Sequence, residues 1–322
     1  MTITLLDGDR TTTVPSDGFS LTAEALLQAT GWELKPHGLC RGDVCVPGSL
    51  SAPVSLAEVA AALRRPLAAQ EVDHGWVAVL GEPRGAVQSG DVAPPVVLPD
   101  VDGNDVQVTG RGRKTAVVAW STWCGCRYEL PAWKQLADEL AADGLDIVTV
   151  ALDEDREAVR RWAAKTDLPT AVDTEHRLSD VFGIVNVPST VWLDEQGRVV
   201  KPPTVAPGDD QFQEFTEVAA DQHHDALRRW VHSGEVPAVE GPADDDDLRR
   251  ARAERRLAAW LYRHGDAEAA ERHFTAAVDL APLDFSIRRA SMPLRGQDPF
   301  GTEFFGLWEQ WNDAGRPGYQ TT

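Results

Sequence analysis

The tripeptide Cys124-Gly125-Cys126 constrains this chain more than any other feature of its sequence. It stands in AVVAWSTWCGCRYELP, where an apolar run typical of a buried strand stops at the first thiol and a helical pattern begins. A thiol at such a junction lies over unpaired backbone N–H groups and the positive end of the helix dipole, which lowers its pKa. The segment therefore predicts thiol–disulfide chemistry with Cys124 as the nucleophile.

The spacing of the two cysteines is one residue shorter than in the usual Cys-x-x-Cys. Two helical residues at this spacing point roughly 200° apart. A disulfide between them requires that Cys124 stays outside the helix and that Gly125 makes a tight turn. Two outcomes stay open: a labile disulfide, or a lone exposed Cys124 with Cys126 packed inward or resolving mixed disulfides slowly. Two buried, inert thiols are the structural alternative.

Length and charge limit the classes of function. With 322 residues the chain is long for one core and predicts two or three domains. Its formal charge of −20, from 51 acidic and 31 basic residues, disfavours nucleic acids and membranes as partners. The start MTITLLDGDRTTT lacks a signal pattern and no apolar run approaches roughly 20 residues, so we expect a cytosolic protein. In a reducing compartment, close cysteine pairs favour redox or metal chemistry over stapling.

Four segments follow one another along the chain. Residues 1–18 are rich in threonine, and we expect them to be poorly ordered. Residues 19–85 predict a small α+β domain. In residues 86–235, strands alternate with helices and end in a hairpin, which predicts a mixed sheet covered on both faces. Residues 244–322 begin with four aspartates and predict a helical region with an aromatic tail.

Recognisable segments surround the cysteines on both sides. The active-site strand is preceded by APPVVLPDVDGNDV, continues into AWSTWCGCRYELP and is followed by FGIVNVPSTVWLDEQGRVV. Together with the strand–helix–strand order, these segments of residues 91–235 resemble the TlpA/ResA-like branch of the thioredoxin superfamily. The resemblance implies an α/β thioredoxin fold, a mixed central sheet flanked by helices. It also implies a thiol–disulfide oxidoreductase without a cofactor, acting on protein or small-molecule disulfides with an unidentified electron donor.

The resemblance also implies roles for single residues. Val187-Pro188 would form a cis-proline loop that faces the cysteines and holds the substrate chain, with an ordinary strand-entry proline as the alternative. Glu129 would manage protons, because a thiolate must attack and a thiol must leave, with a solvated first-turn glutamate as the alternative. Trp123 would offer a contact surface for the substrate, or would simply pack in the core.

A second cysteine pair, Cys40 and Cys45, flanks a tight turn on a predicted hairpin. The two residues are close enough for a cross-strand disulfide, which would act as a second redox station. With His37 they could instead bind a metal, although three ligands at this spacing do not match a usual zinc pattern. A pair of small core cysteines is the third interpretation.

The C-terminal helices carry a single tetratricopeptide-like pattern. Leu257 lies on the first predicted helix, and Phe274 and Ala277 lie on the second. One such pair cannot bury a core by itself. We therefore expect it to pack, together with the aromatic tail, on the domain at residues 86–235, with a groove for a partner protein as the alternative.

Two rival functions stay open beside thiol–disulfide exchange. Ser121 is placed as in a peroxiredoxin-like thiol peroxidase, but the proline of that motif is absent. The other rival is a non-catalytic binding module, in which the helix pair is the docking site and Cys40 and Cys45 form a metal clip.

Overall fold

The computed structural model describes residues 1–82, 86–241 and 245–317. The predicted boundary at residue 85, Asp244 and the tail residues 318–322 lie outside the described residues. The strands are β1 Thr2–Asp7, β2 Arg10–Pro15, β3 Ser20–Leu21, β4 Glu33–Lys35, β5 Gly38–Arg41, β6 Val44–Pro47, β7 Val54–Ser55, β8 Leu67–Val72, β9 Gly75–Leu80, β10 Val97–Pro99, β11 Asp105–Gln107, β12 Lys114–Trp120, β13 Leu145–Ala151, β14 Thr170–Val172, β15 Ser189–Leu193 and β16 Val199–Val205. The helices are α1 Ala23–Thr30, α2 Leu56–Ala62, α3 Leu130–Leu140, α4 Arg156–Ala163, α5 Arg177–Phe182, α6 Gln213–Thr216, α7 Ala220–Ser233, α8 Asp246–Arg263, α9 Ala267–Leu280, α10 Arg288–Ser291 and α11 Thr302–Asp313, with a 3₁₀ turn at Gly125–Glu129. Within the described ranges, no helix is both long and apolar enough to cross a membrane.

The first of two compact units comprises Met1–Gly85 and Asp245–Pro282. Its main sheet has the order β2-β1-β9-β8, in which β1 runs parallel to β9 and the other pairs are antiparallel. Helices α1 and α2 pack on this sheet, where Leu26 and Val59 join a buried cluster with Ile3 and Leu5. Strands β4, β5 and β6 form a separate three-stranded antiparallel sheet.

The prediction that residues 1–18 are poorly ordered is wrong. Strand β1 lies between β2 and β9, and its side chains Ile3 and Leu5 are buried. The segment TITLLD places apolar residues on the buried face, and the threonine run after it is β-branched, which favours an extended backbone. Threonine-rich composition therefore marks a strand pair here, and the first domain begins at the first residues of the chain.

The second unit comprises Ala86–Asp244 and Leu283–Thr322 and contains the five-stranded sheet β14-β13-β12-β15-β16. Strands β12, β13 and β14 are parallel, whereas β15 and β16 are antiparallel additions. Helices α3 and α7 bury Trp133 and Leu227 against one face of the sheet. Helices α4 and α5 bury Val159 and Phe182 against the other face. The predicted mixed sheet covered on both faces is confirmed, and the arrangement is a thioredoxin fold.

The predicted helical region 244–322 is divided between the two units. Helices α8 and α9 form the expected pair, but they belong to the first unit, where α8 packs on β8 and β9. The prediction placed the pair with the domain at residues 86–235; the structure instead assigns it to the first unit, where apolar residues such as Leu257 are buried. The aromatic tail, which begins at Leu283, packs in the second unit as expected. Its Ala290 joins the core cluster of the second unit, and Ser286 N–H donates to the Val185 carbonyl at 3.2 Å.

Candidate active site

Cys124 lies where β12 gives way to the 3₁₀ turn. Its backbone is extended, with φ −116° and ψ 147°, so the residue caps the turn from outside. The Cys126 N–H donates a hydrogen bond to the Cys124 sulfur at 3.2 Å. The requirement that Cys124 stays outside the helix is therefore met, and a 3₁₀ turn takes the place of the first α-helical turn. Pro131 is the second residue of α3, in the first turn, where a backbone N–H has no partner within the helix and its absence costs nothing.

The loop before Cys124 is fixed by Asp153, a buried carboxylate that follows β13. Its Oδ2 accepts hydrogen bonds from the Ser121 hydroxyl at 2.6 Å, the Thr122 N–H at 2.7 Å and the Thr122 hydroxyl at 2.6 Å. Burial raises the pKa of Asp153, against the lowering effect of these bonds. Ser121, the residue of the peroxidase hypothesis, thus donates to a carboxylate. Sequence reasoning missed Asp153, whose signal is its place at the carboxyl end of a strand beside β12.

The Cys124 side chain is 6% exposed. Burial alone would raise its pKa, but the hydrogen bond from the Cys126 thiol, the charge of Arg289, the Cys126 N–H and the charge of Arg127 outweigh it. Together they lower the pKa of Cys124 to about 7. A large fraction of this sulfur is therefore thiolate near neutral pH, which is the form that attacks a disulfide.

The pKa of Cys126 is shifted in the opposite direction from that of Cys124. Burial raises the pKa of its thiol well above the ordinary value, and the hydrogen bond to Cys124, the Cys124 charge and Glu129 raise it further. Both residues are free thiols in this structure. The pair therefore consists of an ionisable sulfur beside a protonated one that donates to it.

Glu129 lies at the end of the 3₁₀ turn and is 1% exposed. Its Oε2 accepts a hydrogen bond from the Gly208 N–H at 2.9 Å. Burial raises the pKa of Glu129 to about 9, opposed by the Gly208 N–H and aided by the charges of Cys124 and Asp209. The side chain is consequently a neutral carboxylic acid at pH 7, so the solvated alternative for Glu129 does not describe it.

The Val187-Pro188 peptide is cis, and its loop faces the cysteines. The Val187 carbonyl accepts a hydrogen bond from the Cys124 thiol at 3.4 Å. Both loop residues line the same cleft as Cys124 and Cys126. The structure thus brings together five of the predicted site residues, Glu129 included.

Trp123 is placed differently from the predicted substrate contact. Its side chain is 3% exposed and belongs to the buried core, where its indole N–H donates to the Leu152 carbonyl at 3.0 Å. The residue is not among those that line the cleft. A tryptophan next to the nucleophile is here a packing residue, because the loop turns its ring toward β13.

The cleft over the thiols has a volume of about 290 Å³ and mainly apolar walls. Its aromatic lining residues are Phe212, Phe285, Phe300, Phe304, Phe305, Trp308 and Trp311. All but Phe212 come from the tail, which the sequence predicted only as a packing segment. A Cβ on Gly125 would lie 2.8 Å from the Phe212 ring, so glycine is needed here for space. The φ angle of Gly125 is not positive, so its backbone conformation does not by itself require glycine.

Two arginines hold positive charge at the cleft. Arg289 is 6% exposed, donates from Nε to the Pro299 carbonyl at 2.9 Å and lies 3.8 Å from the centre of the Phe304 ring. Arg127 donates to the Thr122 carbonyl at 2.7 Å and to the Cys124 carbonyl at 3.0 Å. The tail therefore adds a buried cation to the site, as well as aromatic walls.

His37, Cys40 and Cys45 lie in the first unit, on the sheet of β4, β5 and β6. Cys40 and Cys45 are directly opposite each other and form a disulfide. The His37 Nε2 is 3.4 Å from the Cys40 sulfur and 3.6 Å from the Cys45 sulfur. The predicted hairpin is confirmed. A metal clip needs both thiolates as ligands, and these sulfurs are bonded to each other.

Residues 88–220 match the family model for redoxins. Sporulation thiol-disulfide oxidoreductase A of Bacillus subtilis is 27% identical over 143 residues, which cover 41% of this chain and 87% of that protein. Thiol-disulfide oxidoreductase ResA of Geobacillus thermodenitrificans is 30% identical over 120 residues, 36% of this chain and 69% of that protein. The chain belongs to the ResA-like redoxins. It is therefore a thioredoxin-like enzyme of the oxidoreductase class.

Solved structures are also similar to part of this ResA-like redoxin. The crystal structure of StoA from Bacillus subtilis is 25% identical, with a TM-score of 0.33, and covers 41% of this chain and 97% of that one. The redoxin match ends at residue 220, before the tail that lines the cleft. The aromatic residues of the tail and Arg289 therefore lie outside the matched family segment.

Proposed function

We propose that this redoxin catalyses thiol–disulfide exchange through Cys124, with Cys126 as the resolving thiol and Glu129 as the group that carries protons. The observation that carries the proposal is the pairing of a Cys124 thiol of pKa about 7 with a protonated Cys126 that hydrogen-bonds to it. The matched relatives, named thiol-disulfide oxidoreductases, support the same chemistry.

In the first step the Cys124 thiolate attacks one sulfur of the substrate disulfide. A Cys124–substrate bond forms, the substrate S–S bond breaks, and its electron pair leaves on the second substrate sulfur. The neutral carboxyl of Glu129 protonates this leaving sulfur from its place in the same cleft. The products are a mixed disulfide and a Glu129 carboxylate.

In the second step Cys126 resolves the mixed disulfide. The Glu129 carboxylate takes the proton of the Cys126 thiol, and the new thiolate attacks the Cys124 sulfur. The electron pair of the mixed disulfide leaves on the substrate sulfur, which receives the proton from Glu129. The enzyme ends as a Cys124–Cys126 disulfide with an ionised Glu129, and the substrate ends as two thiols. An electron donor of the thiol class then restores the reduced enzyme.

The walls of the cleft favour a substrate whose disulfide is flanked by apolar groups. Phe212, Phe300 and Phe305 offer ring surfaces beside Cys124, and Phe300 and Phe305 are exposed. Burying an apolar side chain against such surfaces yields binding free energy without a charge on the ligand. We therefore propose disulfides in apolar peptide segments, or small apolar disulfides, as substrates.

Insulin reduction by dithiothreitol tests the proposal. The wild type is expected to accelerate it, whereas Cys124→Ser abolishes the acceleration. Cys126→Ser is expected to accumulate a mixed disulfide at Cys124, detectable by mass spectrometry. Cys40→Ser/Cys45→Ser, which leaves Cys124 and Cys126 intact, is the matched control and is expected to keep the acceleration that depends on Cys124. Full acceleration by Cys124→Ser would refute the mechanism.

Peroxide consumption separates exchange from the peroxidase alternative. Because Ser121 donates to Asp153, we expect hydrogen peroxide to oxidise Cys124 no faster than an ordinary thiolate. The cytosolic location and a protein partner for α8 and α9 stay predictions from the sequence, testable by cell fractionation and by co-purification with tagged protein.

A further inference from the structure

The disulfide of the first unit joins two cysteines in very different surroundings. Cys40 is 2% exposed, whereas Cys45, directly opposite on β6, is exposed. Disulfide exchange needs an approaching thiolate to reach one sulfur while the other departs. Access therefore selects Cys45 as the sulfur that is attacked and Cys40 as the one that leaves.

The His37 imidazole lies against both sulfurs, with Nε2 at 3.4 Å from Cys40 and 3.6 Å from Cys45. An imidazole next to a departing sulfur can supply the proton that a thiolate leaving group requires. The position is held by the backbone on both sides. The His37 carbonyl accepts from Gly48 N–H, and a Cβ on Gly38 would overlap the Val46 carbonyl, so β5 and β6 close tightly beside the histidine.

A purely mechanical role explains this arrangement poorly. Cys40 and Cys45 are already paired by the β5–β6 ladder, and only a short loop separates them. A disulfide that closes a short loop constrains the unfolded chain little compared with one that closes a long loop. An exposed sulfur with an imidazole beside it is instead what exchange requires.

We propose that Cys40, Cys45 and His37 form a second thiol–disulfide exchange centre, which accepts two electrons from thiol compounds. A thiolate of the reductant bonds to the Cys45 sulfur, the Cys40–Cys45 bond breaks, and its electron pair leaves on Cys40, which His37 protonates. A second reductant thiolate attacks the reductant sulfur of the mixed disulfide. The Cys45–reductant bond breaks, and its electron pair leaves on Cys45, which takes up a proton from water. The reductant leaves as a disulfide, and both protein sulfurs end as thiols.

The test uses a Cys124→Ser/Cys126→Ser chain, so that only this pair can exchange and failure of the proposed function leaves the result unaffected. The native protein is mixed with glutathione, and the free thiols are alkylated at intervals and counted by mass spectrometry. The Cys40–Cys45 disulfide is expected to be reduced while the protein stays folded. Circular dichroism monitors the fold during the reaction. His37→Gln is expected to slow it on the order of 100-fold, the lower end of general acid catalysis. His74→Gln, an exposed histidine of the same unit, is the matched control.

Single-cysteine variants identify the attacked sulfur. With glutathione disulfide, Cys40→Ser is expected to be glutathionylated rapidly at Cys45, and Cys45→Ser slowly at the buried Cys40. Three results would overturn the proposal: a pair that stays oxidised until the protein unfolds, equal rates for His37→Gln and His74→Gln, or a purified protein with a metal ion bound to the reduced pair.

Discussion

The substitution Glu129→Gln separates the catalytic value of this residue from its effect on stability. The glutamine keeps the size of the side chain and an oxygen that can accept the Gly208 N–H bond, but it never ionises. In the wild type, the pKa of Glu129 is about 9 in the folded protein, because burial disfavours the carboxylate. In the unfolded chain the carboxyl has its ordinary pKa of 4.5.

The sign of the effect follows from these two values. The folded pKa lies above the unfolded one, so the stabilising contribution is complete below pH 4.5 and is lost as the pH rises toward 9. Between pH 4.5 and pH 7 the unfolded chain releases the proton while the folded chain keeps it, which costs the wild type about 3 kcal/mol. Because the glutamine does not ionise, the free energy of unfolding of Glu129→Gln does not fall in this way.

Urea unfolding of both proteins at pH 4.5 and pH 7 measures the difference. We expect the free energy of unfolding of Glu129→Gln relative to wild type to increase by about 3 kcal/mol between the two pH values. The variant should nevertheless reduce insulin more slowly, because it cannot release and recapture a proton. Parallel pH profiles for wild type and variant would refute a neutral buried carboxyl.

Three further variants address the surroundings of the nucleophile. Arg289→Gln removes a buried cation, so the pH midpoint of Cys124 alkylation by iodoacetamide should rise by about 1. Arg289→Lys keeps the charge and should restore the midpoint. An unchanged midpoint in Arg289→Gln would contradict the role of the charge. Gly125→Ala should lower the free energy of unfolding in urea by about 1 kcal/mol, because the added methyl group meets the Phe212 ring. Adding Phe212→Ala should remove most of that loss. Additive effects of the two substitutions would argue against a contact between these residues. Asp153→Ala leaves four donors without their acceptor and should cost about 2 kcal/mol on the same scale. No loss of stability would show that water replaces the carboxylate fully.

The fold and the central chemistry follow from local sequence patterns. The buried strand before Cys124, the helix after it and the loop at Pro188 each have a recognisable signature within a few residues. The role of Glu129 came from the resemblance to the TlpA/ResA-like branch, through its place in CRYELP just after the cysteines. Such features depend on the chain near each residue, which a sequence displays directly.

The parts that sequence reasoning missed depend on contacts between distant segments. Phe212 and Arg289 enter the cleft from positions 86 and 163 residues after Cys126, and no local pattern marks them. Trp123 was misplaced because either burial or exposure fits a tryptophan beside a loop, and the hydrogen bond to Leu152 decides between them. The helix pair was assigned to the wrong unit because its apolar face fits any complementary sheet.

The order of segments along the chain has a consequence for how the enzyme matures. Each unit is assembled from two stretches that alternate in sequence, and the tail that completes the second unit follows the last stretch of the first unit. A nascent polypeptide that has emerged as far as Pro282 holds both active-site thiols, but neither Arg289 nor the tail rings. Its reactive sulfur therefore gains the pKa-lowering charge of Arg289 and the apolar rings of the tail only after the residues beyond Pro282 have been synthesised.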